Sequence, residues 1–191
     1  LLCAGVTTFN ALRNSGARPG DLVAIHGVGG LGHLGVQFAA RQGFRTVALN
    51  RGREKEQLAR ELGAYEYIDT EAGDPAAALQ AMGGAKVILA TLTNADAMQA
   101  VVGGLAPTGT LMVIGAVPTL TINATELLFK SAAVKGWYSG TAVDSEDTLR
   151  FCEGTGITSM NEMYPFDEAQ AAYDRMMSGK ARFRVVLKMA D

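Results

Sequence analysis

Four glycines within six residues form the part of this sequence with the clearest chemistry. The segment Gly27-Val-Gly-Gly-Leu-Gly32 fits the pattern G-x-G-x-x-G, and it follows the apolar run Leu22–His26, a predicted buried strand. Gly27 permits a tight turn, Gly29 lets a pyrophosphate approach the backbone, and Gly32 lets the following helix pack close to the strand. The N–H groups at the helix start then face the phosphates. The motif therefore predicts a dinucleotide site; a glycine-rich turn needed only for packing is the alternative.

The end of the second predicted strand, residues 46–49, bears on which dinucleotide is bound. An acid about 20 residues after the glycine motif binds the ribose hydroxyls of NAD, but this sequence has Asn50 there. No carboxylate at this position repels a 2′-phosphate, and the guanidinium groups of Arg51 and Arg53 match phosphate geometry. The pattern favours NADP over NAD. Alternatively, both arginines are solvated loop charges and Asn50 alone binds a 2′-hydroxyl.

Apolar runs that alternate with amphipathic segments must position these residues. This order predicts an α/β fold, a doubly wound parallel six-stranded sheet (Rossmann) with helices on both faces. The predicted strands cover residues 22–26, 46–49, 66–68, 86–91, 110–114 and 133–137, and helices begin near residues 31, 54, 75, 95 and 124. From about Ser139 the pattern changes to two helices and a strand over 183–189. We expect residues 1–138 to form the dinucleotide-binding domain and residues 139–191 to belong to a second domain.

Composition narrows the class of protein. The chain of 191 residues is 48% apolar and has a formal net charge of −2 at pH 7, so nothing draws the whole chain to nucleic acid or to an anionic membrane. Two cysteines, Cys3 and Cys152, cannot build a disulfide framework, and no apolar run reaches the roughly 18 residues of a membrane helix. We expect a cytoplasmic location. Because the sequence begins with Leu1 inside an apparent helix, we also expect it to be part of a longer protein.

Four segments resemble one known family. Cys3-Ala-Gly-Val-Thr7, the glycine motif, Val36-Gln-Phe-Ala39 and Ala59-Arg-Glu-Leu-Gly-Ala64 are similar to the zinc-dependent alcohol dehydrogenases of the medium-chain dehydrogenase/reductase superfamily. The resemblance runs along nearly the whole chain and implies a coenzyme domain followed by the C-terminal part of a catalytic domain. It implies an enzyme that interconverts an alcohol and an aldehyde or ketone by hydride transfer with NAD(P). The isolated chain would be inactive, the substrate a small molecule, and the protein a homo-oligomer.

The resemblance also assigns a metal ligand. Cys3 matches one of three protein ligands to the family's catalytic zinc, and it would act in catalysis through that metal. The other two ligands would precede Leu1. Without the resemblance, Cys3 is interpreted as a small buried residue on an apolar helix.

Coenzyme contacts follow from the same resemblance. Thr7 and Leu31 would contact the nicotinamide ring, Lys55 the adenosine ribose, and Arg184, or alternatively Arg182, the pyrophosphate. Residues after the fourth and fifth strands would lie at the adenosine and at the nicotinamide carboxamide, respectively. The complete set predicted to bind the coenzyme is Thr7, Gly27, Gly29, Gly30, Leu31, Gly32, Asn50, Arg51, Arg53, Lys55, Thr91, Leu92, Gly115, Ala116, Val117 and Arg184.

Two other functions fit parts of this pattern. The chain could be a nucleotide-binding module without catalysis, or it could belong to the zinc-free quinone oxidoreductases of the same superfamily. The second group lacks a cysteine at the Cys3 position, so Cys3 favours the zinc branch. His26 and His33 flank the glycine motif, and we expect a structural role or a phosphate-side contact for them.

Overall fold

Six parallel strands form the sheet that the alternating pattern predicts. The structure, a computed structural model, describes residues 1–189. The strands are β1 Leu22–His26, β2 Arg45–Asn50, β3 Glu66–Asp69, β4 Ala85–Ala90, β5 Leu105–Val113 and β6 Ala133–Gly136. Their spatial order is β3-β2-β1-β4-β5-β6, with every neighbouring pair parallel. The predicted doubly wound α/β fold is confirmed.

Seven helices accompany the sheet, and local capping sets several of their starts. They are α1 Ala4–Arg13, α2 Gly32–Arg41, α3 Glu56–Glu61, α4 Pro75–Ala81, α5 Ala95–Ala100, α6 Ala124–Lys130 and α7 Ala142–Thr155. The Asp74 side chain accepts hydrogen bonds from two N–H groups of α4, and the Asn94 side chain accepts one from the Ala97 N–H of α5. After α5 the chain turns into a 3-10 segment, Val102–Gly104, that passes close to α4: a Cβ at Gly104 would lie 2.7 Å from Leu79.

The core lies on both faces of the sheet. All five residues of β1 are buried, as are four of the six residues of β2 and five of the six of β4. Strands covered on both faces read as continuous apolar runs, which is why these three were visible in the sequence. On one face, the rings of Phe9, Phe38 and Phe151 lie 5.0–6.1 Å apart and join α1, α2 and α7.

The chain divides into two compact units, Leu1–Ile157 and Thr158–Asp191. α7 belongs to the first unit, where the Arg13 guanidinium of α1 pairs with the carboxylates of Asp144 and Asp147. The first unit thus extends beyond residue 138, the predicted end of the dinucleotide-binding domain. The assignment of residues 139–191 to a catalytic domain stays a prediction.

The second unit contains a strand that the sequence analysis did not predict. β7 Asn161–Pro165 pairs in parallel with β8 Arg184–Lys188, and α8 Ala169–Met177 connects them. Arg175 of α8 donates two hydrogen bonds, of 2.8 and 2.9 Å, to the Glu162 carboxylate of β7. These bonds, with one from the Arg182 N–H, lower the pKa of Glu162 to about 2. No helix within residues 1–189 combines the length and the apolar character needed to cross a membrane.

Candidate functional site

A cleft of about 540 Å³ opens at the carboxyl ends of the first four strands. β1 continues through α2 to β2 on one side, whereas β4 lies on the other side of β1, so the strand order reverses at this point. Open parallel sheets bind their ligands at such a reversal, outside the carboxyl ends of the strands. The cleft is where the fold places a ligand.

The glycine motif forms one wall of this cleft, and three of its glycines meet different structural requirements. Gly27 has φ of +98°, which favours glycine. A Cβ at Gly32 would lie 1.7 Å from the Gly27 carbonyl oxygen, so only glycine lets α2 begin so close to β1. A Cβ at Gly29 would meet no described residue's atoms within 4 Å. Packing therefore does not require glycine at residue 29, whereas a ligand that approaches the backbone does.

Side chains from the end of β2, from the start of α3 and from the turn after β4 hold the loop in this shape. Val28 N–H donates to Asn50 Oδ1 at 3.1 Å, and Lys55 Nζ donates to the Val28 carbonyl at 2.7 Å. Asn50 Nδ2 in turn donates to the carbonyl of Arg51 at 3.0 Å. Thr91 Oγ1, at the end of β4, lies 2.8 Å from the Gly27 carbonyl oxygen. Asn50, Lys55 and Thr91 thus fix the backbone that a dinucleotide would approach.

The structure brings together most of the predicted coenzyme residues. Those that line the cleft are Gly27, Gly29, Gly30, Leu31, Asn50, Arg51, Lys55, Thr91 and Leu92. Those outside its lining are Thr7, Gly32, Arg53, Gly115, Ala116 and Val117. Gly115 adjoins the lining, since a Cβ there would lie 1.9 Å from the Leu92 carbonyl oxygen. Arg184 begins β8 in the second unit, and its contact with a pyrophosphate stays a prediction.

The two arginines after β2 lie in different surroundings. Arg51 lines the cleft. The Arg53 guanidinium lies 3.7 Å from the Glu56 carboxylate, one turn along the chain, and its side chain is 77% exposed. Of the two, Arg51 is placed to meet a ligand.

Cys3 lies exposed directly before α1, and Thr7 Oγ1 donates to its carbonyl at 2.7 Å. Within residues 1–189, no group of three or more His, Cys, Asp or Glu side chains could hold a metal ion. The described residues alone therefore do not form a zinc site, which needs three or four protein ligands.

His26 lies at the end of β1, beneath the glycine loop, and it also lines the cleft. His26 is 4% exposed, and among the described residues its Nδ1 has no hydrogen-bond partner. Burial lowers the pKa of His26 from its ordinary 6.5 to about 4, so the imidazole is neutral at pH 7. A neutral imidazole adds no charge to this wall of the cleft.

We expect this histidine to weaken the fold as the pH falls. Between pH 6.5 and 4 the unfolded chain takes up a proton that folded His26 does not, so unfolding becomes easier on acidification. The contribution between pH 7 and pH 5 is about 2 kcal/mol. Urea denaturation at both pH values should show a smaller pH dependence for His26→Gln than for the wild type. Equal pH dependence in the two proteins would contradict a depressed pKa.

The cleft also contains residues that the sequence analysis did not select. Thr70 and Glu71 follow β3, and Thr93 and Asn94 follow β4. The predicted parallel sheet could have identified them, because residues that follow neighbouring parallel strands meet at one edge of the sheet. Applied to β3, this reasoning would have found Thr70 and Glu71.

The sheet order, the glycine loop and the cleft at the reversal point together define a dinucleotide-binding Rossmann domain. A family model described as zinc-binding dehydrogenase matches residues 30–154. The chain belongs to this zinc-binding dehydrogenase family.

Relatives and solved structures agree with this family. The chain is 47% identical over 189 residues to an alcohol dehydrogenase of Aspergillus sp., covering 99% of this chain and 56% of that protein. It is 36% identical to an alcohol dehydrogenase of Geobacillus stearothermophilus, covering 100% of this chain and 57% of that protein. A cinnamyl alcohol dehydrogenase from Sorghum bicolor superposes with a TM-score of 0.85 at 28% identity, over 100% of this chain and 56% of that one. The chain thus spans about half the length of the curated relatives it matches.

Proposed function

We propose that this chain is the coenzyme-binding part of an oxidoreductase that interconverts an alcohol and an aldehyde or ketone. The observation that carries the proposal is the open backbone at Gly29, which faces a cleft at the reversal point of a parallel sheet. The alcohol dehydrogenases that the chain resembles indicate the class of reaction and a small-molecule substrate. The zinc-binding dehydrogenase family favours this enzyme over a module without catalysis.

The residues of the cleft fit a nicotinamide dinucleotide. When bound, the coenzyme carries the hydride, and the protein supplies binding and orientation. The start of α2 brings partial positive charge to the pyrophosphate. Asn50 and Lys55 hold Val28, and with it the loop that the phosphates would approach. Leu31 lines the cleft, where its side chain would offer an aliphatic surface to the nicotinamide ring.

Cys3 is proposed as a zinc ligand of the intact protein. Its exposed position before α1 leaves the thiol accessible to groups outside the described residues. The remaining ligands have to come from another part of the protein, since residues 1–189 contain no group that could complete the site.

A homo-oligomer is proposed as well. β6 is an edge strand of the sheet, and all four of its residues are exposed. Exposed strand edges pair readily with another chain. Sedimentation equilibrium of the intact protein tests this assembly.

Turnover by the intact, zinc-loaded protein tests the proposed reaction. We expect alcohol-dependent reduction of NADP or NAD and the reverse reaction with an aldehyde or ketone. Coenzyme binding without either reaction would identify a non-catalytic module. Oxidation of the reduced coenzyme by a quinone, without alcohol oxidation, would identify the zinc-free quinone oxidoreductase instead.

NADP is proposed as the preferred coenzyme, because Arg51 lines the cleft and residue 50 carries no carboxylate. Arg51→Gln should weaken NADPH binding about tenfold, the value of a charge-assisted contact to phosphate, and change NADH binding by less than about twofold. Calorimetric titration of the intact protein measures both. Arg53→Gln is the matched control, since Arg53 pairs with Glu56 outside the cleft. Equal losses for NADH and NADPH in Arg51→Gln would contradict a 2′-phosphate contact.

A further inference from the structure

The turns after β2 and β3 are joined at one side of the cleft. Asn50 lies opposite Asp69 in the parallel register, and Thr70 N–H donates to the Asn50 carbonyl at 3.0 Å. Asp69 Oδ1 then accepts hydrogen bonds from the N–H groups of Gly52, at 2.8 Å, and of Glu71, at 3.0 Å. One carboxylate oxygen therefore holds the turn after β2 against the turn after β3.

This arrangement brings Glu71 to the cleft. Glu71 Oε2 lies 3.9 Å from the position that a Cβ would take at Gly52, and Glu71 lines the cleft together with Arg51. Among the residues of 1–189 that line the cleft, Glu71 is the single carboxylate. Asn50 cannot replace it, because its carboxamide is uncharged and already bonds Val28 N–H and the Arg51 carbonyl.

We propose that Glu71 is a specificity-determining residue for the coenzyme, supplying from β3 the negative charge that the end of β2 lacks. The inference rests on the proposed dinucleotide function, because the end of β2 is where a Rossmann domain meets the adenosine ribose. The Glu71 carboxylate accepts a hydrogen bond from a ribose hydroxyl of NAD and repels the 2′-phosphate of NADP. Arg51 attracts the same phosphate from the same side of the cleft, so the two residues oppose each other. Glu71 thus limits the NADP preference that Arg51 creates and keeps NAD usable.

Charge removal at Glu71 should move the two affinities in opposite directions. Glu71→Gln in the intact protein should bind NADPH about tenfold more tightly, because a like charge a few ångströms from a phosphate in a partly exposed cleft is removed. It should bind NADH about threefold more weakly, because a charge-assisted hydrogen bond becomes a neutral one. The gain for NADPH should shrink at about 1 M salt, where the Debye length is only about 3 Å.

Calorimetric titration of wild type, Glu71→Gln and Glu153→Gln with each coenzyme tests the inference. Glu153 is an exposed glutamate of α7 outside the cleft, so its variant controls for net charge. A higher NADPH to NADH affinity ratio in Glu71→Gln, with no such rise in Glu153→Gln, supports the inference. If the wild type binds coenzyme, an unchanged or lower ratio in Glu71→Gln, or an equal rise in Glu153→Gln, overturns the inference and leaves the proposed function standing. A wild type that binds neither coenzyme overturns the proposed function and the inference with it.

Discussion

Replacement of Gly29 by aspartate will weaken coenzyme binding by at least about 100-fold, or about 2.7 kcal/mol, while the protein stays folded. The aspartate fits the apo protein, because a Cβ at this position meets no described atom within 4 Å. It fills the space through which a pyrophosphate would reach the backbone, and it places a carboxylate beside the phosphates. The free energy of unfolding should change by less than about 1 kcal/mol, as for most surface substitutions.

The Gly29 prediction separates a ligand-binding loop from a packing turn. Calorimetric titration with NADPH and NADH, and urea denaturation of the same samples, measure the two effects. Gly29→Asn separates bulk from charge, since it has the same shape without the carboxylate. Gly154→Asp on α7 is the control, because its Cβ also meets no described atom within 4 Å. Undiminished coenzyme binding in Gly29→Asp would mean that this loop does not approach the phosphates.

Gly32→Ala will destabilise the fold by about 3 kcal/mol or more, the upper range for an overpacked site. The added methyl group would lie 1.7 Å from the Gly27 carbonyl oxygen and 2.8 Å from its carbonyl carbon. Both contacts are with backbone, so relief requires α2 to move away from the end of β1. That movement also displaces the loop that faces the cleft, so coenzyme binding should fall together with stability.

A glycine-to-alanine substitution in α7 should instead raise the free energy of unfolding. Gly154→Ala lies within α7 and meets no described atom within 4 Å. Alanine lowers the conformational entropy of the unfolded chain, so this variant should gain about 0.5–1 kcal/mol. Urea denaturation of both variants compares them directly. Wild-type stability in Gly32→Ala would show that α2 does not have to begin so close to Gly27.

Short sequence patterns were enough to predict much of the sheet. β1 was predicted with its observed bounds, because its apolar residues are buried on both faces and end at a glycine cluster. β5 was predicted only from residue 110, whereas it begins at Leu105. Its first residues include Pro107 and Gly109, which are not typical of a strand, and its register with β4 shifts between Ala85 and Val87. β7 was missed because Asn161–Pro165 has little strand character. Its hydrogen bonds come from β8, about twenty residues later.

Three features of the site could be read from the sequence: the glycine motif, its place between a strand and a helix, and the missing carboxylate at Asn50. These are properties of neighbouring residues, and steric limits on a tight turn act over a few bonds. Three further features became visible only in the folded chain: Asn50 holds Val28, Arg51 rather than Arg53 lines the cleft, and Glu71 lies at the same cleft. Parallel strands bring together residues that are distant along the chain, and side-chain direction in a turn depends on the packing around it, so short sequence patterns do not reveal these contacts.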